Sequence, residues 1–451
     1  MKRIPFTIAM FCAASLFAQD NYKNYYWIGQ YEGTLTALTS WSEDESGYDN
    51  PVTVAPDENT IFNVNKENKP TQGQLSNPAR LQGNTTKAFR SLISTVNTEI
   101  HVLNTMNFTG DYISRVDSDY MYDGKSVKQL RFANDNSAST FNFLNVGGDM
   151  ILSTSKYHAT RVSFVKGNTM QMDVAGALKF EYTGDASAGG GHAFDMRDNN
   201  SSTGSNFLAN LGGLSSSGKG VFMTASKNVV AGFVFQNSAD GTFKGGDFKG
   251  VFANASGVSS DLSFEMNADG RQSISIYKAS NTAAHGIENS PYAKEDATIS
   301  SIRVTKGDFI INTELAVANI SMSGGKLGFS SDEKVGALTI DGGELLFGKT
   351  IAVGGLIIGV EKLNIVFNPE DISANGLTVL TYDHIDIPVP VKEMFVAYDI
   401  NGNALGGEFS IVGEAGGPGS IMYTIPEPAE VAAFWGIMTL AFSAFYRRRA
   451  K

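Results

Sequence analysis

The chain has 451 residues, of which 42% are hydrophobic and 18% are charged, and its formal net charge is −11. A chain this acidic is a poor candidate for binding nucleic acids or anionic lipid surfaces, and no nucleic-acid partner is expected. The single cysteine, Cys12, lies near the N-terminus. Disulfides, a cysteine nucleophile and a zinc–thiolate site are therefore excluded from the rest of the chain.

Residues 1–18 read as a secretory signal peptide that would form a short helix. Two cations precede an apolar run of 12 residues, which is too short to span a bilayer. We expect cleavage between Ala18 and Gln19. A cut after Ser15 is the alternative, because Leu16 is larger than the small residue usual at the −3 position. The segment predicts export through the Sec translocon.

Residues 19–69 are predicted to form an N-terminal module with a W-x-G-x3-G…W pattern that includes Trp27 and Trp41. The stretch resembles the W-x-G…W openings that precede the β-helix in autotransporter-like proteins. The first rung of a β-solenoid exposes unpaired backbone groups, and large aromatic residues can cover that edge. The alternative is a carbohydrate-binding module in which Trp27 and Trp41 stack on sugar rings.

The clearest regularity lies in residues 299–365, where apolar residues recur with a period of 18 in five columns. A glycine column, made of Gly307, Gly325 and Gly343, separates the first three columns from the last two, and Glu361 breaks it in the fourth copy. The five columns are Ile299, Val317, Val335 and Val353; Ile302, Ile320, Leu338 and Leu356; Val304, Met322, Ile340 and Ile358; Phe309, Leu327, Leu345 and Leu363; and Ile311, Phe329, Phe347 and Ile365.

Within each copy the apolar residues alternate with polar ones, which predicts strands with one buried face. Stacked copies would make each column an apolar ladder inside a coil, so residues 70–367 are predicted to form a parallel β-solenoid (β-helix). The same apolar–Gly–apolar unit recurs with irregular spacing at 144–151 and 172–180. An antiparallel meander or sandwich is the alternative.

The chain beyond the repeat is predicted to contain two further parts before the C-terminal segment. Residues 368–412 would add strands that close the open end, with a hairpin at Asn401-Gly402. Residues 413–424 are rich in glycine and are predicted to be a flexible spacer. The predicted fold class is therefore all-β, with a signal-peptide helix at one end and a single transmembrane helix at the other.

Residues 425–451 have three parts in strict order: the tripeptide Pro426-Glu427-Pro428, an apolar run, and a basic tail. The run 431–446 has 16 residues without a charge. A helix of that length spans roughly 24 Å, which is minimal for a hydrocarbon core of about 30 Å. Positive charge behind the helix would hold the C-terminus on the cytoplasmic side. The cations of the tail are Arg447, Arg448, Arg449 and Lys451.

This C-terminal segment resembles the PEP-CTERM sorting signal of exported bacterial proteins in motif, order and terminal position. The resemblance implies recognition by an exosortase, a membrane-embedded transpeptidase-like protease. It also implies cleavage near Pro426-Glu427-Pro428 and release or transfer of the exterior part. An ordinary membrane anchor is the alternative, although such an anchor needs no Pro-Glu-Pro.

No cluster of residues in the sequence predicts a catalytic, cofactor or metal site. Two acidic clusters could act on polysaccharide if they lay on one solenoid face. The cluster at 117–125 and the turn 399–403 could also offer oxygen ligands to calcium. Each is more typical of a solvated turn, and whether the acidic loops bind calcium stays open. The clusters are Asp195, Arg197 and Asp198, and Asp117, Asp119 and Asp123 with Lys125.

The sequence therefore predicts a non-enzymatic bacterial surface or extracellular-matrix protein with a structural or adhesive role. Its precursor would be held in the inner membrane by the C-terminal helix and then processed by an exosortase, with exopolysaccharide as a further partner. The alternatives are a β-helix polysaccharide lyase or hydrolase and a carbohydrate-binding module.

Overall fold

Within the described residues the regular secondary structure is strand apart from one four-residue helix, α1 (Val391–Met394), and one 3-10 turn (Leu38–Ser40). The predicted all-β class is confirmed for this part of the chain. The predicted signal-peptide helix and membrane-anchor helix fall in residues 1–21 and 426–451, which lie outside the described part of the chain. The computed structural model describes residues 22–28, 32–45, 52–65, 79–83, 86–95, 98–102, 105–116, 130–132, 142–154, 160–164, 169–182, 192–198, 205–217, 221–225, 229–254, 261–278, 280, 295–330, 334–368, 376–413 and 417–425.

The upstream half is built from ladders of short parallel strands, in which each strand pairs with the strand three places later along the chain. The first ladder is β1 (Lys23–Trp27), β4 (Thr60–Val64), β7 (Ser91–Ser94), β10 (Tyr112–Val116), β13 (Met150–Thr154), β16 (Leu178–Tyr182) and β19 (Leu214–Ser217). The second is β2 (Glu32–Thr34), β5 (Ala79–Gly83), β8 (Thr98–Val102) and β11 (Leu130–Phe132). The third is β6 (Ala88–Phe89), β9 (Thr105–Phe108), β12 (Asn142–Val146), β15 (Thr169–Val174), β18 (Ser205–Leu211) and β21 (Val229–Gln236).

A fourth ladder runs beside the later rungs and merges with the third in the long strand β23 (Asp261–Tyr277). From β23 onward a single long strand bends around each coil and pairs in parallel with the next. The fourth ladder is β14 (Thr160–Phe164), β17 (His192–Asp198), β20 (Val221–Ala225) and β22 (Gly246–Asn254), with β24 (Glu295–Asp296) antiparallel to β22. The long strands are β25 (Thr298–Thr313), β26 (Val317–Phe329) and β27 (Lys334–Phe347).

The parallel pairing continues past the long strands, through β28 (Ile351–Ile358) and β29 (Leu363–Phe367) to β30 (Leu377–Asp386) and β31 (Phe395–Asp399). This connectivity is consistent with a parallel β-solenoid. It begins at β1 and ends at β31, so it extends into both ranges that the sequence separates from the body, 19–69 and 368–412. Strands in those ranges share the apolar ladders, and that shared burial joins them to the stack.

The 18-residue columns are in register as predicted for the first three positions of all four copies. Leu338, for example, pairs with Ile320 on one side and Leu356 on the other. The last two columns are wrong in the fourth copy, because Leu345 pairs with Ile365 rather than with Leu363. Two extra residues at the corner between β28 and β29 cause the shift. An even insertion keeps the alternation of buried and exposed side chains, so the same face stays inside.

The glycine column forms the downstream corner, where the backbone needs a conformation that other residues adopt only with strain. Gly307, Gly325 and Gly343 have φ of 69°, 66° and 93°. A Cβ on Gly343 would lie 2.6 Å from the carbonyl oxygen of Gly325 in the previous coil. The corners therefore stack backbone directly on backbone, which excludes any side chain.

The upstream corners also stack glycine on the backbone of the previous coil, as at Gly147 and Gly176. They add a chain of side-chain hydrogen bonds that we call the corner ladder (Ser91, Asp111, Asp149 and Ala177). The Asp111 N–H donates to Ser91 Oγ at 3.0 Å, and the Asp149 N–H donates to Asp111 Oδ1 at 2.8 Å. The Ala177 N–H in turn donates to Asp149 Oδ1 at 2.9 Å. Each side chain thus satisfies a backbone donor of the next coil, which fixes the height of the step between coils.

The two ends of the stack are closed by antiparallel strands. At the N-terminal end β3 (Trp41–Ser42) pairs with β1 and covers the first edge of the first ladder. At the C-terminal end β33 (Gly419–Thr424) lies between β30 and β32 (Glu408–Gly413). The predicted flexible spacer 413–424 is therefore wrong for 419–424, because Ile421 and Tyr423 are buried in the core and hold the strand in place.

Candidate functional site

The tryptophans proposed to stack on sugars lie inside the protein. Trp27 and Trp41 are both 0% exposed, and their ring centroids are 5.5 Å apart in an edge-to-face arrangement. Trp41 also packs on Phe62 at 4.6 Å and donates its indole N–H to the Thr34 carbonyl. The stacking prediction is wrong, because neither ring has a face open to a ligand. The two rings instead fill the first rungs of the core.

The residues of the sorting prediction lie outside the described part of the chain. These are the signal-peptide cut at Ala18 and Gln19, the motif Pro426-Glu427-Pro428 and the basic tail. In the described part, β33 ends at Thr424 and Ile425 packs against the core. The motif therefore begins immediately after a residue that is held by the body. No helix within the described residues is long and apolar enough to cross a membrane.

The side chains of both acidic clusters weighed for catalysis lie outside the part of the chain that the structure describes. Asp117, Asp119, Asp123 and Lys125 lie outside the described residues, as do the side chains of β17, which carries Asp195, Arg197 and Asp198. Along the backbone, β17 pairs with β14 and β20. Among the residues that the structure does describe, no group of three or more His, Cys, Asp or Glu side chains is placed to hold a metal ion.

The turn weighed as an oxygen-ligand loop is closed on itself. Asp399 Oδ1 accepts the N–H groups of Asn401 and Asn403 at 2.9 and 2.8 Å, and Oδ2 accepts Asn403 Nδ2 at 2.8 Å. These bonds, chiefly those from Asn403, hold the pKa of Asp399 below its ordinary value. The carboxylate thus serves the turn, and the hairpin predicted at Asn401-Gly402 is confirmed by the Tyr398–Ala404 bridge.

A concave surface that the sequence did not point to lies beside this turn, on the outside of the last coils. We call it the C-terminal cleft; its volume is about 330 Å³. Successive rungs β26, β27, β29 and β31 each contribute outward side chains to it. Its lining residues are Lys326, Glu344, Asn364, Val366, Tyr398, Asp399, Ile400 and Gly402.

Polar groups along one side of the cleft are tied together. Glu344 accepts Lys326 Nζ at 3.1 Å and Asn364 Nδ2 at 3.1 Å. Burial by itself would raise the pKa of Glu344, but the bonds from Asn364 and Lys326 and the lysine charge outweigh burial and lower it. Glu344 is therefore a carboxylate at neutral pH, and its charge is balanced by that of Lys326.

The other side of the cleft is apolar. Val366 is 8% exposed, Tyr398 is half-buried and lies opposite Val366 in the ladder, and Ile400 at the edge of the turn is 61% exposed. Sequence reasoning missed this site because Tyr398 is far from Glu344 along the chain. The available signal was the outward pair Lys326 and Glu344, which are one 18-residue period apart.

A larger groove crosses the outer surface of the same coils near Thr298. It has a volume of about 690 Å³, and alanine and glycine columns line much of it. A second depression of about 780 Å³ adjoins it at Thr298, Ala316 and Lys334. Lys278, Ser280 and Lys334, which line these surfaces, are next in the chain to residues outside the described ranges (279, 281–294 and 331–333).

No protein-family model, no curated protein and no solved structure matches this chain.

Proposed function

We propose that the chain is an exported bacterial surface or extracellular-matrix protein, sorted and processed by an exosortase through Pro426-Glu427-Pro428. The observation that carries the proposal is the C-terminal order of tripeptide, uncharged 16-residue run and basic tail. A signal peptide at residues 1–18 would start the export. The precursor would be anchored in the inner membrane before the cut.

The body between the two signals is assigned a structural or adhesive role, without enzymatic activity. Its parallel ladders support assignment to the β-solenoid class. Stacked coils satisfy one another's backbone groups and need neither a disulfide nor a metal to hold them. Such a rod suits an extracellular setting, where an acidic surface also favours solubility.

The place of the motif supports a cut outside the body. β33 donates and accepts backbone hydrogen bonds on both sides, and Ile425 still contacts the core. A protease acting beyond Ile425 would leave this closing sheet whole. One acting within 419–424 would have to break it first.

The proposal is tested in a strain that contains an exosortase, with the full chain followed by immunoblotting of membrane, envelope and medium fractions. We expect wild-type chain to shorten and leave the inner membrane. Replacing Pro426, Glu427 and Pro428 together by alanine should leave it full-length in that membrane. The matched control is Glu430→Ala, just beyond the motif, which should be processed like wild type. Equal processing of the triple variant and wild type would contradict the proposal.

A further inference from the structure

We propose that the C-terminal cleft binds an uncharged oligosaccharide. The inference goes beyond the sorting proposal and does not depend on it, because binding can be measured on unprocessed chain. It also replaces the glycan contact predicted for Trp27 and Trp41, which are buried.

The shape of the cleft favours an elongated ligand. Lys326, Glu344 and Asn364 occupy neighbouring rungs of one outward column, and Tyr398 extends the next column onto β31. Four rungs at a spacing of about 4.8 Å extend over roughly 14 Å. A surface of that length can contact more than one sugar unit, whereas a single sugar would fill only part of it.

The two sides of the cleft match the two kinds of surface on a sugar ring. The C–H bonds of a pyranose carry partial positive charge and pack against the negative face of an aromatic ring, which Tyr398 can supply next to Val366. The hydroxyl groups need fixed donors and acceptors. A carboxamide has two donors and a carbonyl acceptor, so Asn364 offers more than the one N–H it gives to Glu344.

Preorganisation strengthens this match. The Glu344 carboxylate already holds Lys326 and Asn364, so their side chains lose little freedom when a ligand arrives. The Asp399 carboxylate is likewise held by its own turn through Asn401 and Asn403. The polar side of the cleft is therefore set before binding.

The charge of the cleft selects an uncharged ligand over an acidic one. One cation, Lys326, stands against two carboxylates, Glu344 and Asp399. The pKa of each carboxyl group is lowered, so both remain ionised at neutral pH. A uronate or phosphate group would meet net negative charge, whereas a neutral sugar would not.

The test is isothermal titration of the full-length chain, purified in detergent micelles, with cellohexaose, maltohexaose, mannohexaose and chitohexaose. Hexagalacturonate serves as the acidic probe. We expect at least one neutral hexasaccharide to bind, and the acidic probe to bind at least about tenfold more weakly. The proposal is overturned if none of the four neutral probes binds with a Kd below about 10 mM. It is also overturned if the acidic probe binds as tightly as the neutral ones or more tightly.

Variants locate the binding to the cleft. Tyr398→Ala should weaken binding by about tenfold or more, and Tyr398→Phe, which keeps the ring, by less than about threefold. The matched control is Tyr26→Ala, a half-buried tyrosine of β1, which should bind like wild type. Wild-type affinity in Tyr398→Ala, or an equal loss in Tyr26→Ala, contradicts the assignment.

A readout on unmutated protein covers the case in which Tyr398→Ala does not fold. Hydrogen exchange of the wild-type chain with and without the bound hexasaccharide should show slower exchange in 396–402 on binding. Protection elsewhere with none in 396–402 would place the ligand on another surface and overturn the proposal.

Discussion

The downstream and upstream coils reach the same stacked arrangement with different sequence spacing. Downstream, Val317 pairs with Val335 at the regular interval of the repeat. Upstream, Leu92 pairs with Tyr112 and Tyr112 pairs with Met150, so the interval nearly doubles from one rung to the next. The extra upstream residues lie between rungs, where they leave the parallel pairing intact. Parallel stacking in this chain thus does not require a regular period.

The two regions also differ in what fills and joins the coils. The first upstream rungs hold a continuous run of aromatic contacts from Trp27 through Phe62 to Phe108, whereas the 18-residue columns are mainly aliphatic. Both regions stack glycine backbone at their corners, but the upstream corners add the side-chain hydrogen bonds of Asp111 and Asp149. The downstream corners instead use glycines with positive φ. The irregular coils therefore add aromatic packing and side-chain hydrogen bonds to the backbone stacking that both regions share.

The largest expected effect comes from removing an aromatic side chain from the first rungs. Trp41→Ala should lower the free energy of local unfolding there by about 4 kcal/mol, and Leu338→Ala should lower that of its downstream column by about 3 kcal/mol. Hydrogen exchange measured by mass spectrometry separates the two regions. Val54→Ala, at a side chain that is 50% exposed, is the control. A cost below about 1 kcal/mol for Trp41→Ala would contradict its role in the core.

The glycine corner gives the next largest effect. Gly343→Ala should lower the free energy of unfolding by about 3 kcal/mol. The substitution places a methyl group 2.6 Å from the Gly325 carbonyl oxygen and forces φ of 93° on a residue with a Cβ. Gly355→Ala is the matched control in the next coil, where nothing lies within 4 Å of the added atom. It should change stability by less than about 0.5 kcal/mol. Equal unfolding midpoints for the two variants would show that the corner tolerates side chains.

The corner ladder should give a smaller effect. Asp149→Ala removes the acceptor of the Ala177 N–H and the ion pair with Lys179, whose Nζ lies 2.6 Å from Asp149 Oδ2. We expect the free energy of local unfolding to fall by about 1.5 kcal/mol, which would be seen as faster hydrogen exchange of the amides around Ala177. The exposed Asp247 is the control, because Asp247→Ala should leave exchange in 175–182 unchanged. Unchanged exchange in Asp149→Ala would mean that the ladder does not join the coils.

As the pH falls, the upstream corners should lose stability before the downstream corners do. This effect should be the smallest of the four predicted here. Burial alone would raise the pKa of Asp149, but the hydrogen bonds from Lys179 and Ala177 and the nearby lysine charges lower it. A lowered folded-state pKa stabilises the protein above the unfolded-state pKa of about 3.9, and the contribution is lost as pH falls through the folded value.

Exchange near Ala177, corrected for the intrinsic rate, should therefore accelerate below about pH 4 relative to exchange near Gly343. Asp149→Asn should remove that difference, because its side chain does not titrate in this range. Identical acid responses of the two corners in wild-type chain would contradict the distinction between them.

The sequence predicted the parts of the fold that follow a fixed interval. The columns through Ile302 and Val304 are in register across all four copies because no insertion interrupts them. The two-residue shift at Leu363 could not be read from the sequence, since both registers bury apolar residues. The upstream units predicted at 144–151 and 172–180 pair in register, but coils of unequal length leave no period from which the other upstream rungs could be predicted. The corner ladder was missed because an isolated Asp after glycine is typical of any turn.

The candidate site was less predictable than the fold. Trp27 and Trp41 were read as either cap or ligand platform, and only their burial decides against the platform. The C-terminal cleft depends on a register that joins Glu344 to Asn364 across the shifted corner and then brings in Tyr398 from beyond the repeat. Neither composition nor spacing predicts that these residues lie side by side.

The most direct test of the central claim is mass-spectrometric mapping of the C-terminal peptide of the chain recovered from the envelope or medium of a strain with an exosortase. We predict a C-terminus within 425–430, just beyond β33, and full-length chain ending at Lys451 when the exosortase is deleted. Recovery of chain that still ends at Lys451 in the strain with the exosortase, or that ends inside 419–424, would contradict the account.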